Sequence, residues 1–249
     1  MIKFFRKIRQ NLLKENKTGR YFKYALGEII LVVIGILIAL QINNWNENRK
    51  LKSSEIKILQ NFKSSLKADS LIISESDQVY SKVRNSIDYL IKYMDKDLPY
   101  KDSLKYHYGN ITSDWGVRFD LTTYNVLKSK DLNLISNENL RSDIITYYSY
   151  AEGTVLQLSK RYTDVIEDAS KTIFSKHFDQ MWSSRQDNFQ SEMIPVDYQK
   201  LKKDQEFKYF LKTLKNQNYW LIENAFNTTM RRLNDLVLGI NKELEALEK

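Results

Sequence analysis

The sequence predicts an all-α protein: an N-terminal transmembrane helix, then an elongated antiparallel helical bundle of three long helices plus a short helix. Three observations predict it. The chain holds 2 Pro and 7 Gly in 249 residues, too few for the turns of an all-β fold. Residues 29–40 read IILVVIGILIAL, without one polar side chain. Three later runs repeat apolar residues at spacings of three and four, the period of an amphipathic helix.

The apolar run is short for a membrane span, which takes about 20 residues. Its flanks extend it to 22–44. Phe22, Tyr24, Ala25, Leu26 and Gly27 precede it, with Lys23 long enough to snorkel, and Gln41 and Ile42 follow. Tyr21 and Trp45 stand where interfacial aromatics belong. A cleaved signal peptide and a buried core helix are the competing readings. The first is disfavoured by the long basic stretch ahead of the run and by the lack of a small-x-small site after Leu40.

Orientation follows from charge. Residues 1–24 carry eight Lys and Arg against Glu15 alone, a net +7. The other 225 residues carry 31 basic against 30 acidic side chains, a net +1, so nearly all of the chain's excess of +8 belongs to the tail. The more basic flank stays in the cytoplasm, which places residues 45–249 outside it. A tail property also removes the case for nucleic acid, because a binding domain carries its own basic face. Within residues 1–21, Met1, Phe5, Ile8 and Leu12 fall at helical spacing between basic residues, the pattern of an amphipathic cytoplasmic helix lying on membrane lipid.

One face of the span is distinct. Glu28, Gly35, Ala39, Asn43 and Asn46 fall together on a helical wheel. A carboxyl group in a span normally faces protein or water. Gly35 and Ala39 form a small-xxx-small pair that allows close approach of a second helix. The expectation is a helix-association face, for a homodimer or a membrane-protein partner.

Beyond the span, the first run is Leu59, Phe62, Leu66, Asp69, Ile73, Ser76, Tyr80, Val83, Ile87, Leu90 and Met94, with only Asp69 and Ser76 polar. No Pro or Gly separates it from the anchor, so the helix can run straight on. The second run is Leu140, Ile144, Tyr147, Ala151, Val155, Leu158, Tyr162, Val165, Ala169 and Ile173, with Ser136 or Asn137 as the cap. The third starts after a capping Asp204 with Phe207, Phe210, Leu211 and Leu214. It goes on through Ile222, Phe226, Met230, Leu233, Val237, Ile240, Leu244 and Leu247. A short helix is expected at Leu121–Ser129. Residues 95–120 and 183–195 read as long connections.

The blocks MIKFFRKIRQNLL, YALGEIILVVIGILIALQINNWNENRK and FDLTTYNVLKSKDLNLISNENLRSDIITYY resemble a family of uncharacterised membrane proteins of Bacteroidota, the domain of unknown function 6090. Many members carry a glycine after the short helix, where this chain has Lys130 and Asp131. The resemblance implies an inner membrane and a periplasmic domain. It supplies no activity and no catalytic residues.

No chemical motif stands out. There is no Cys, no Gly-x-Gly phosphate loop and no Gly-x-Ser-x-Gly elbow. His107 and His177 have no ligand-spaced partner. No cofactor, metal or enzymatic activity is expected. Trp115, Tyr124, Tyr147 and Tyr148 form the candidate ligand or partner region, set against ordinary core packing. The leading reading is a membrane-anchored interaction or scaffold protein. A ligand sensor acting through a membrane partner and an envelope hydrolase are the alternatives.

Overall fold

The computed structural model describes residues 18–249 except 115, 182, 186 and 187. The amphipathic tail over 1–17 and Trp115 therefore lie outside the described residues. One helix, α1, is assigned from Thr18 to Asp95. The chain divides at Ser54/Glu55 into two units.

In the first unit, α1 is apolar and uncovered. The branched side chains from Ile29 to Leu40 are 47–61% exposed. This is the single described helix long and apolar enough to cross a membrane, and none of its most apolar stretch is buried inside the protein.

The second unit, residues 55–249, is all-α, built on three long helices. The first is the remainder of α1. The short helices α2 (Leu104–Asn110) and α3 (Thr122–Lys130) and a 3-10 turn at Leu132–Leu134 follow. The second long helix comprises α4 (Glu138–Tyr150), a π turn (Ala151–Val155), α5 (Leu156–Ala169), a second π turn (Ser170–Phe174) and α6 (Ser175–His177). After a β-hairpin, β1 (Ser183–Arg185) with β2 (Asn188–Glu192), and α7 (Tyr198–Leu201), comes the third. It joins α8 (Gln205–Tyr219), a π turn (Trp220–Phe226) and α9 (Asn227–Glu248).

Cross-contacts give the directions. Glu223 pairs with Arg84, Lys215 with Asp88 and Lys208 with Asp95, so the third helix runs antiparallel to the first. Tyr147 reaches Asp69 and Tyr162 packs on Tyr80, so the second runs parallel to the first. The connection between these parallel helices must return along them. Residues 96–137 do so, touching α1 at Ser86, Tyr80, Ser65 and Glu55 in turn. This segment is the fourth, irregular member of an antiparallel set.

The core follows the apolar runs. Leu59, Phe62, Leu66, Ile73, Tyr80, Val83, Ile87 and Leu90 of α1 are buried, as are Ile144, Tyr147, Val155 and Tyr162 and Phe207, Leu211, Leu214 and Ile240. In the third helix the buried positions Leu214, Asn218, Ile222 and Phe226 recur every four residues. That spacing exceeds 3.6, so an ordinary helix would rotate it off the core; the wider π turn at Trp220–Phe226 holds it in place.

Caps fall on the expected residues. Asn137 accepts from the amides of Asn139 and Leu140 (3.1 and 3.2 Å), and Asp204 from Phe207 (2.8 Å). Neither Lys130 nor Asp131 takes the positive φ that would favour glycine. Asp131 is extended (φ −169°), and its side chain caps the 3-10 turn through Asn133 N (2.8 Å). The hairpin is an addition to the expected elements. It docks on α2 through a bond from Met193 N to Lys105 O (3.0 Å) and a close approach at Gly109. A Cβ on Gly109 would lie 2.0 Å from the Ser191 carbonyl oxygen.

Candidate functional site

The residues expected to act together fall into two groups. Glu28, Gly35, Ala39, Asn43 and Asn46 all lie on α1 in the first unit, spaced as one helical face. Gly35, Ala39 and Asn43 are exposed, and Glu28 and Asn46 are half-buried. Tyr124, Tyr147 and Tyr148 lie together in the core of the second unit. Tyr124 stacks flat on Tyr148 (4.7 Å between centroids, 9° between planes), and Tyr148 meets Tyr147 edge-on.

These tyrosines surround a buried polar cluster whose hub, Asp69, is fully buried on α1. Its Oδ1 accepts from the Asp120 amide (2.7 Å) and its Oδ2 from the Tyr147 hydroxyl (3.0 Å). Asp120 in turn accepts from the Ser65 hydroxyl (2.8 Å), and the Ser65 and Thr123 hydroxyls are 2.9 Å apart. Burial raises the Asp69 carboxyl to about 6, against the two bonds, which pull it down. Bonds accepted from Thr122 and then Ser65 hold Asp120 below the usual carboxylate range. The Tyr148 hydroxyl is buried without a hydrogen-bond partner. Asp69 occupies one of the two polar positions in the first apolar run. A carboxyl on a core stripe was the signal that sequence reasoning left unused.

A second cluster joins α1 to α2. Asn110 donates to the buried Ser86 hydroxyl (3.0 Å), and His107 Nδ1 lies 3.1 Å from the same oxygen. His107 stacks on Tyr89 at 4.2 Å, and burial lowers its pKa. The Ser–His contact has the composition of a nucleophile and base. Among the described residues no carboxylate bonds the other ring nitrogen, and Ser86 is 2% exposed. In the structure it fastens the return segment to α1. At the far end His177 Nε2 lies 3.1 Å from Asp204 Oδ2 without hydrogen-bond alignment. Among the described residues no three His, Asp or Glu side chains are placed to hold a metal ion.

A groove of about 400 Å³, open to solvent, lies elsewhere, between the second and third long helices, and is lined by Leu158, Arg161, Gln217 and Trp220.

These features define a helical domain of unknown function behind an apolar N-terminal helix. Over residues 28–108, about a third of the chain, it matches the model of a family of unknown function, DUF6090. This is the family the sequence resembles. The matched residues include Asp69, Ser86 and His107 and end before Asp120 and Tyr147. No curated protein and no solved structure matches the chain.

Proposed function

We propose that the chain is a membrane-anchored interaction or scaffold protein, held in the inner membrane by residues 22–44, with its N-terminus in the cytoplasm and residues 45–249 in the periplasm. The observation that carries this reading is the exposure of Ile29–Leu40. Ten branched side chains there are about half open to solvent, and burial of such surface is worth about 25 cal/mol per Å². Water is the wrong medium for that surface and hydrocarbon the right one. The +7 tail supports the orientation and a contact with anionic lipid headgroups.

The face of Glu28, Gly35, Ala39, Asn43 and Asn46 is the proposed contact for a second copy or a membrane partner. Combining Glu28→Leu with Gly35→Ile is expected to abolish crosslinking within membranes. Topology is tested with a protease and a C-terminal tag in spheroplasts, alongside a cytoplasmic control. Cleavage with membranes intact is the expected result. Protection until detergent is added would place the helical unit in the cytoplasm and overturn the proposal.

A further inference from the structure

Trp220 opens the π turn of the third long helix and is 55% exposed, with Tyr219 edge-on beside it at 5.9 Å. That turn packs against the π turn Ala151–Val155 of the second helix. The groove of about 400 Å³ runs next to this contact, with Leu158 and Trp220 as its apolar lining and Arg161 and Gln217 as its polar lining. Its size is within the range of small-molecule sites, about 300–1,000 Å³.

The polar groups of the groove are uncommitted. Among the described residues Arg161 makes no ion pair and no side-chain hydrogen bond, and neither does the Gln217 amide. The carboxylates three residues on from Arg161 and Trp220 already have cations: Asp164 is held by Lys160 at 2.7 Å and Glu223 by Arg84 at 3.0 Å. A guanidinium fork with all its donors unspent beside an open indole face matches a ligand with a planar anionic group and a ring. One unpaired cation suits a single negative charge, a carboxylate in preference to a doubly charged phosphate.

We propose that this groove binds a small ring compound bearing one carboxylate. The ring lies on the Trp220 indole, the carboxylate takes the Arg161 guanidinium in two parallel bonds, and Gln217 reads a ring substituent. The ring can be that of an aromatic acid or a sugar acid, since both present an apolar face to an indole. The inference goes beyond the anchoring proposal, and it stands or falls whichever side of the membrane the unit occupies.

The test is fluorine NMR of the full-length, fluorotryptophan-labelled protein in lipid nanodiscs, with the Trp220 resonance assigned by Trp220→Phe. Benzoate and glucuronate are the probes; benzyl alcohol and glucose are their uncharged counterparts. The expected result is a saturable shift of the Trp220 resonance with at least one acid, the other tryptophans staying put. Benzoate alone would identify an aromatic acid and glucuronate alone a sugar acid. Arg161→Gln should weaken binding by roughly tenfold or more and Arg161→Lys by less, because lysine keeps the charge but loses the fork. Arg161 and Trp220 are exposed and Gln217 is half-buried, so these variants retain the fold, which circular dichroism verifies; Gln217→Ala is a second, milder probe. No saturable shift with either acid, equal shifts with the uncharged compounds, or unchanged affinity in Arg161→Gln would each overturn the proposal.

Discussion

Replacing Asp69 with Asn tests whether burial or hydrogen bonding decides the energetics of the polar cluster. The Asp69 carboxyl titrates at about 6 in the folded protein and near 3.8 when free. The folded state therefore binds this proton more tightly than the unfolded chain, and protonation favours folding. Stability from this group is absent at pH 7.5, grows as pH falls through 6, and is complete below 3.8, where both states are protonated. At about 1.4 kcal/mol per pKa unit the full swing is about 3 kcal/mol. Asn removes the charge and keeps the geometry: its oxygen accepts from the Asp120 amide while its amide donates to the Tyr147 hydroxyl, which can reverse its role. At pH 7.5 Asp69→Asn should therefore be more stable than the parent protein by up to about 3 kcal/mol, or about 6–12 °C for a unit of this size. At pH 4 the two should converge. Other carboxylates titrate as well, so the readout is the difference between the two proteins in thermal or denaturant unfolding at each pH. Should Asp69→Asn be destabilised at pH 7.5, the two bonds to the ionised carboxylate outweigh its desolvation, and the reasoning fails.

Four further outcomes follow from the same structure. Tyr147→Phe removes a bond to a charged acceptor and should cost about 1.5–3 kcal/mol at pH 7.5 and less at pH 5, whereas Tyr148→Phe removes a hydroxyl with no partner and should be neutral or stabilising in the same unfolding series. Gly109→Ala forces a methyl group to within 2.0 Å of the Ser191 carbonyl, and backbone cannot yield as a side chain would; a loss of about 1–3 kcal/mol is expected, with faster proteolysis at residues 183–192. Gly153→Ala meets nothing within 4 Å in the second helix and should leave stability unchanged or raise it by up to about 1 kcal/mol. Glu55→Ala strips the amide and the hydroxyl of Ser136 of their shared acceptor (2.7 and 2.9 Å) and should cost about 1–3 kcal/mol, seen as a lower denaturation midpoint.

The long helices were legible because each presents a core stripe; most residues on those stripes are buried, while Met94, Leu158, Val165, Met230, Val237 and Leu247 are half-buried at their edges. Their starts were legible through Asn137 and Asp204, short acceptor side chains that satisfy open amides. What the sequence did not disclose has physical reasons as well. Residues 183–192 read SSRQDNFQSE, with one apolar residue and no alternation, so nothing local marks a strand. The hairpin depends on its dock against α2, which a bare Gly109 permits. The π turns are written only as a run of four-residue spacings, from Leu214 through Asn218, Ile222 and Phe226, and such runs look like ordinary helix until the register is followed along the whole element. Trp115, Tyr124, Tyr147 and Tyr148 stood out in the sequence because aromatic residues are dense there. Density in a helical stripe reports burial, and the open aromatic, Trp220, stands off the stripe.

Five polar positions of α1 share one direction. Glu55 bonds to Ser136, Ser65 to Asp120, Asp69 to the Asp120 amide, Tyr80 to Asp114, and Ser86 to His107 and Asn110. Each contact joins the long helix to the return segment, and the partner numbers fall as the helix numbers rise. That segment has little helical periodicity, so these hydrogen bonds add to the burial of Leu104, Tyr108, Ile111 and Leu127 in fixing its position on α1. Hydrogen bonds do not slide: a shift of one residue would leave several buried donors and acceptors unpaired, at about 1–3 kcal/mol each. A buried polar group can thus cost stability while fixing register, as a single polar residue does in a helical core. Asp69 is where both effects meet. Its desolvation weakens the fold at neutral pH, and its two bonds place Asp120 and Tyr147, hence the return segment and the second long helix, against one point on the first.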